Sequence, residues 1–289
     1  MTDHILSIQS HVAYGYVGNR AAVFPLQRLG FDVIAINTVQ FSNHTGYGTW
    51  EGDIFSSDHI QHVLNGVEQR LPFHQLKAVL SGYLGDAVLG ELVINTVQKA
   101  KRENPSLIYC CDPVLGDIGR GIFVKPAVAD FFKNNVCQVA DILTPNQFEL
   151  SFLSGQSIQT LDDALKACAI LRQQGGPAVI LVTSLQRQEA ARHTIEMLVS
   201  TKTGAWLVAT PYLPIDPAPN GGGDLTAAVF LAHYLRTGDP ALALSFVASV
   251  VFAVYKKTHA LHQRELALVA AQDEWVTPQQ IFVVTQVDM

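Results

Sequence analysis

Short apolar runs alternate along the chain with longer stretches in which apolar residues recur every three or four positions. The runs at residues 5–8, 33–36, 78–80, 107–111, 141–143 and 179–182 predict strands. Between them, residues 91–101 and 160–174 set charged side chains opposite an apolar face and predict amphipathic helices. Strand and helix in alternation imply a mostly parallel sheet covered on both faces, with right-handed crossovers. Beyond residue 180 the pattern changes. Residues 195–200 and 205–210 flank the turn-like Thr201-Lys202-Thr203-Gly204 and predict an antiparallel hairpin at one sheet edge. Residues 225–235 and 241–259 are apolar and alanine-rich, as expected of helices packed against a sheet. Neither a repeat nor a low-complexity linker divides residues 1–289, so the expectation is one α/β domain.

Composition fits that picture. Of 289 residues, 48% are hydrophobic and only 15% charged, enough to bury a large core and unlike a disordered chain. The net charge of −6, without long like-charge runs, argues against a nucleic-acid partner. The most apolar stretch, residues 246–255, is far shorter than the roughly 18 residues of a membrane span and contains Ser249, so no membrane partner is expected. The start, Met1-Thr2-Asp3-His4, has neither the basic segment nor the apolar run of a secretory signal, which predicts a cytoplasmic protein. Cys110, Cys111, Cys137 and Cys168 form no Cys-x-x-Cys pair and are expected to be reduced packing residues. His59 and His62, and His259 and His262, have helical spacing but no evident third ligand, which makes them surface or packing residues.

In a parallel sheet, ligands bind beyond the carboxyl ends of the strands. Polar clusters follow five of the predicted strands: Ser10-His11, Ser81-Gly82-Tyr83, Asp112-Pro113, Thr144-Pro145-Asn146 and Thr183-Ser184. The sharpest motif lies elsewhere, at Asn220-Gly221-Gly222-Gly223-Asp224, directly before an apolar helix. Gly221, Gly222 and Gly223 can turn backbone N–H groups toward an anion, and the helix start adds free N–H groups and partial positive charge. Asp224 at its edge is placed to take a proton from an alcohol in phosphoryl transfer. The same residues also suit a flexible turn with Asp224 as an ordinary N-cap. Other phosphate and hydrolase signatures are missing: no Gly-Lys dipeptide, no dinucleotide fingerprint, no Gly-x-Ser-x-Gly and no His-Glu-x-x-His. Asp112, Asp117 and Glu149 offer hard oxygen groups for Mg²⁺, and each equally suits a helix cap. Pro113 and Pro145 hold the strand ends extended.

Several blocks together resemble the pyridoxal kinase family, the vitamin B6 branch of the ribokinase superfamily. They are residues 7–12, 15–19, 37–47 with Phe41-Ser42-Asn43-His44-Thr45, 81–83, 111–117 and 144–149, within a likeness that runs from residue 5 to about residue 260. The resemblance implies a ribokinase-like single domain and ATP-dependent phosphorylation of the 5′-hydroxymethyl group of pyridoxal, with pyridoxine and pyridoxamine as further substrates. It implies ATP, Mg²⁺ and a monovalent cation, K⁺ or Na⁺, as cofactors, and a homodimer.

Carried over by position, Ser10, Thr45, Gly46 and Tyr83 hold the substrate ring, with His44 and Phe41 close by. Asp224 is the catalytic base beside Gly221, Gly222 and Gly223. Asp112, Thr144, Asn146, Glu149, Thr183, Ser184 and Gly222 fall at nucleotide positions. Asp112, Asp117, Thr144 and Glu149 fall at cation positions. The segment 117–125 corresponds to a loop over the nucleotide. Two alternatives remain: a hydroxymethylpyrimidine kinase, and a catalytically weak protein that binds B6 vitamers. Gly222 departs from the family, which usually has Thr, Ala or Val there. The expectation is a looser cradle that costs about 0.5–1 kcal/mol more to order and binds ATP more weakly, so that Gly222→Thr tightens nucleotide binding.

Overall fold

The computed structural model describes residues 3–288. In chain order it runs β1 (His4–Val12), α1 (Asn19–Arg28), β2 (Asp32–Phe41), β3 (Gly52–Ile54), α2 (Ser57–Glu68), β4 (Leu76–Ser81), α3 (Ala87–Glu103) and β5 (Ile108–Cys111). It continues with β6 (Gly116–Asp117), β7 (Gly121–Ile122), α4 (Pro126–Asn134), β8 (Ile142–Leu143), α5 (Gln147–Ser154), α6 (Leu161–Gln173) and β9 (Val179–Leu185). The last elements are β10 (Thr194–Thr201), β11 (Ala205–Pro211), α7 (Gly222–Thr237), α8 (Pro240–Ala260) and β12 (Thr285–Val287).

Ten strands form one sheet in the order β12-β11-β10-β9-β8-β5-β4-β1-β2-β3, and β6 and β7 form a separate hairpin. The six central strands, β9, β8, β5, β4, β1 and β2, are mutually parallel. Each carries apolar residues on both faces because both are covered. In β4, Val79 enters one core while Ala78 and Leu80 enter the other. Helices α2 to α6 cover the first face, and α1, α7 and α8 the second. From β1 the chain passes to β2 on one side and later returns to β4 on the other. That reversal opens a crevice beyond the strand ends.

All the predicted strands and helices form, with edges moved by a few residues. The hairpin of residues 195–200 and 205–210 is β10 and β11, but it lies one strand in from the edge, because β12 pairs with β11 outside it. A second antiparallel edge, β3 on β2, carries no clear alternation in its three exposed residues. α8 is long and apolar enough to cross a membrane by composition. Its Leu244, Val247, Ala248, Val250 and Val254 are packed in the core beside α7 and the sheet. The four cysteines are free and buried, and the two histidine pairs are exposed, as their spacing implied.

Candidate active site

A cavity of about 600 Å³ opens beyond the carboxyl ends of the parallel strands. Ser10, Phe41, His44, Thr45 and Tyr83 line one end, Thr183 and Ser184 the other, and Asp112, Gly116, Asp117, Asn146 and Glu149 lie along it, with residues 221–224 also in the wall. Of the residues to which the resemblance gives a site role, Gly46 and Thr144 are not in its lining, and of the strand-end clusters His11, Ser81, Gly82, Pro113 and Pro145 also lie outside it. Gly46 instead shapes the turn after His44: its N–H donates to His44 Nδ1 at 3.0 Å. Thr144 is buried behind Asp112 and donates its hydroxyl to Asp112 Oδ1 at 3.1 Å.

The glycine motif begins α7 rather than preceding it. Gly221 is the N-cap with φ +89°, and a Cβ there would collide with the Tyr16 carbonyl oxygen, so the position admits only glycine. Gly222 and Gly223 form the first turn, which leaves their N–H groups free for a ligand. Asp224 is therefore the third helical residue, not the cap. Gly223 lies against Asp112, whose Oδ2 would stand 3.4 Å from an added Cβ. Gly222 is the position at which a looser cradle is expected. Gly222 is helical, is not among the glycines with positive φ, and faces the Tyr255 hydroxyl where a side chain would go.

The carboxyls of Asp112, Glu149 and Asp224 are all pushed above their ordinary range. Burial is the main cause for each. At Asp112 the neighbouring charges of Glu149 and Asp224 add to it, and the Thr144 hydroxyl opposes it. Glu149 is raised to about 8 even though N–H groups of Asn146, Leu115 and Gly116 favour its charged form. Asp224 is raised to about 6, opposed by N–H donors of Gly18 and of Asp224 itself. Among the described residues, no lysine or arginine charge offsets these three groups. Nor do three or more His, Cys, Asp or Glu side chains converge into a ready-made metal cage. Such a set fits Mg²⁺, which binds through one or two carboxylates and fills its shell with water and phosphate oxygens.

Local chemistry places the remaining groups. Asn146 and Glu149 form a reciprocal capping box at the start of α5, with bonds of 2.9 Å each way. Glu149 also accepts from the Leu115 N–H at 2.9 Å, and Asn146 Nδ2 donates to the Gly116 carbonyl at 2.8 Å, which ties the β6–β7 hairpin to α5. The cap reading and the ligand reading thus fall on the same residues. At the other end, burial and the Arg120 charge lower the His44 imidazole below its ordinary value, so it is neutral at pH 7.

Two features were missed in the sequence, and a third, Arg120 with Phe123, was covered only by the expected loop of residues 117–125. Tyr255, Val251 and Phe252 bring α8 into the cavity wall. Arg120 and Phe123 reach it from the β6–β7 hairpin. Glu265 accepts from the Tyr47 hydroxyl at 2.6 Å and from the Tyr16 N–H at 3.0 Å, while Arg264 lies 3.6 Å from the Tyr47 ring centre and donates to the Gly46 carbonyl at 3.2 Å. This clamp holds the two loops beside Ser10 and Thr45. The apolar spacing of α8 was a usable signal for the first feature; nothing local marks Glu265.

A family model described as phosphomethylpyrimidine kinase matches residues 28–273. A pyridoxal kinase PdxY of Deinococcus radiodurans is 48% identical over 99% of this chain and 97% of its own length. A second, from Rubrobacter xylanophilus, is 50% identical over 98% and 97%. Among solved structures, a Leishmania donovani pyridoxal kinase in complex with ADP and pyridoxamine superimposes with a TM-score of 0.91 at 30% identity, covering 99% of this chain and 100% of that one. Identity near one half along essentially the full length, on top of a matching fold, means that the chain belongs to the pyridoxal kinases within the phosphomethylpyrimidine kinase family.

Proposed function

We propose that the protein transfers the γ-phosphoryl group of ATP to the 5′-hydroxymethyl group of pyridoxal, giving pyridoxal 5′-phosphate. The observation that carries this reading is the placement of Asp224 on the first turn of α7, beside free N–H groups and in one cavity with the aromatic residues Phe41 and Tyr83. The vitamer ring lies between those aromatic walls, with Ser10 and Thr45 as its polar contacts. The Asp224 carboxylate takes the proton of the hydroxymethyl group as its oxygen attacks phosphorus. The N–H groups of Gly222 and Gly223 hold the negative charge that builds on the transferred group. Thr183, Ser184 and Asn146 contact the nucleotide, and the β6–β7 hairpin keeps water from competing as acceptor.

Asp112, Asp117 and Glu149 are the residues that would hold Mg²⁺, which when bound neutralises charge on the phosphate chain. Thr144, buried behind Asp112, is assigned to the monovalent cation, K⁺ or Na⁺.

The family model's description favours one second reading, a hydroxymethylpyrimidine as acceptor. Turnover of pyridoxal, pyridoxine, pyridoxamine and hydroxymethylpyrimidine at equal concentration with Mg-ATP separates the two. We expect the B6 vitamers to be preferred by at least about tenfold in kcat/KM, about 1.4 kcal/mol; preference for the pyrimidine would reverse the assignment.

A further inference from the structure

Position 222 lacks a side chain, yet the space beside it is filled. A Cβ added to Gly222 runs into the Tyr255 hydroxyl and comes within 3.2 Å of the ring carbon that carries it. Tyr255 ends a stripe on α8, after Ala248, Val251 and Phe252, that faces the cavity at helical spacing. Its ring is half-buried, and among the described residues its hydroxyl has no hydrogen-bond partner. Tyr255 lines the cavity, so its hydroxyl is open to a ligand or water there. Burial, with the Asp117 charge nearby, pushes this phenol up to about 12. It therefore keeps its proton at working pH and acts as a donor. The groups around it, the free N–H groups that open α7, attract an anion.

We propose that the Tyr255 hydroxyl is a phosphate ligand of the nucleotide site, donating a hydrogen bond to the ATP phosphate chain from the place a side chain at position 222 would occupy. The inference rests on the phosphotransfer reading above and adds a residue from a different helix to it. It also accounts for Gly222: a larger residue there would displace the hydroxyl. Positions 222 and 255 then act as one unit, in which either can supply the hydroxyl but both cannot.

Calorimetric titration of the whole protein with ATP and with adenosine tests this. Tyr255→Phe keeps the ring and should weaken ATP about ten- to a hundredfold, the effect of one lost hydrogen bond to a charged group, while adenosine affinity changes less than about twofold. Gly222→Thr alone should also weaken ATP binding, because its side chain meets Tyr255. Gly222→Thr combined with Tyr255→Met, which removes the collision and returns a hydroxyl from position 222, should recover ATP affinity to within about threefold of the unchanged protein. The assignment is overturned if Tyr255→Phe leaves ATP affinity unchanged, if ATP and adenosine weaken equally, or if the double variant binds no better than Gly222→Thr. Should the unchanged protein bind ATP yet form no pyridoxal phosphate, the proposed function falls, and the titrations still decide the role of Tyr255.

Discussion

Asp224 has two properties that a proton acceptor in this site needs: a place on the first turn of α7 and a carboxyl raised to about 6. The base works only when ionised. As pH falls through about 6 the carboxyl gains a proton and kcat/KM should decline, while above that value the acid limb is flat. A profile from pH 5 to 9 checks this, and a rate independent of pH down to 5 would exclude the role. Asp224→Asn keeps the shape but cannot accept the proton. Its turnover should drop by about two orders of magnitude or more, with ATP affinity within about threefold by titration. Near-normal turnover would remove Asp224 from the mechanism. Its chemistry was legible because three glycines and a carboxylate sit next to each other in the chain. Its position as third helical residue was not, because the turn that makes Gly221 the cap is set by the Tyr16 carbonyl packed against it.

The start of α5 joins a helix cap to the cavity wall. Asn146 caps the helix and also holds the Gly116 carbonyl, so the β6–β7 hairpin is anchored through it. Asn146→Ala removes both bonds. Loss of the cap should cost about 1 kcal/mol, and the melting temperature measured by calorimetry should fall by about 1–2 °C. ATP affinity should fall in the same variant, since the loosened hairpin borders the cavity; a melting shift with unchanged ATP affinity would separate the cap from the site. The spacing of Asn146 and Glu149 marks a helix start in the sequence by itself. That the Glu149 carboxylate also reaches Leu115 depends on β5 and β8 lying side by side.

The cavity is assembled by the whole molecule, from loops beyond β1, β4 and β5 through α5 to α7 and α8. Ligands that bridge these parts bind only the folded chain. Mg-ATP at about a hundred times its dissociation constant should add about 2.7 kcal/mol of stability and raise the melting temperature by several degrees. Mg²⁺ with adenosine at the same concentration should shift it far less if, as proposed, the glycine turn and Tyr255 act on phosphate. Equal shifts would show that the phosphate chain contributes little.

Periodicity and motif spacing by themselves determined the alternating strands and helices, the position of the parallel sheet, and the glycine turn with its aspartate. Those are local properties, written in residues within one or two turns of each other. The tertiary structure alone decided that β12 covers the hairpin, that Glu265 grips Tyr47 from 218 positions away, and that Tyr255 fills the space beside Gly222. It also decided the raised carboxyls of Asp112, Glu149 and Asp224, because burial and neighbouring charge come from segments that meet only when the chain is folded.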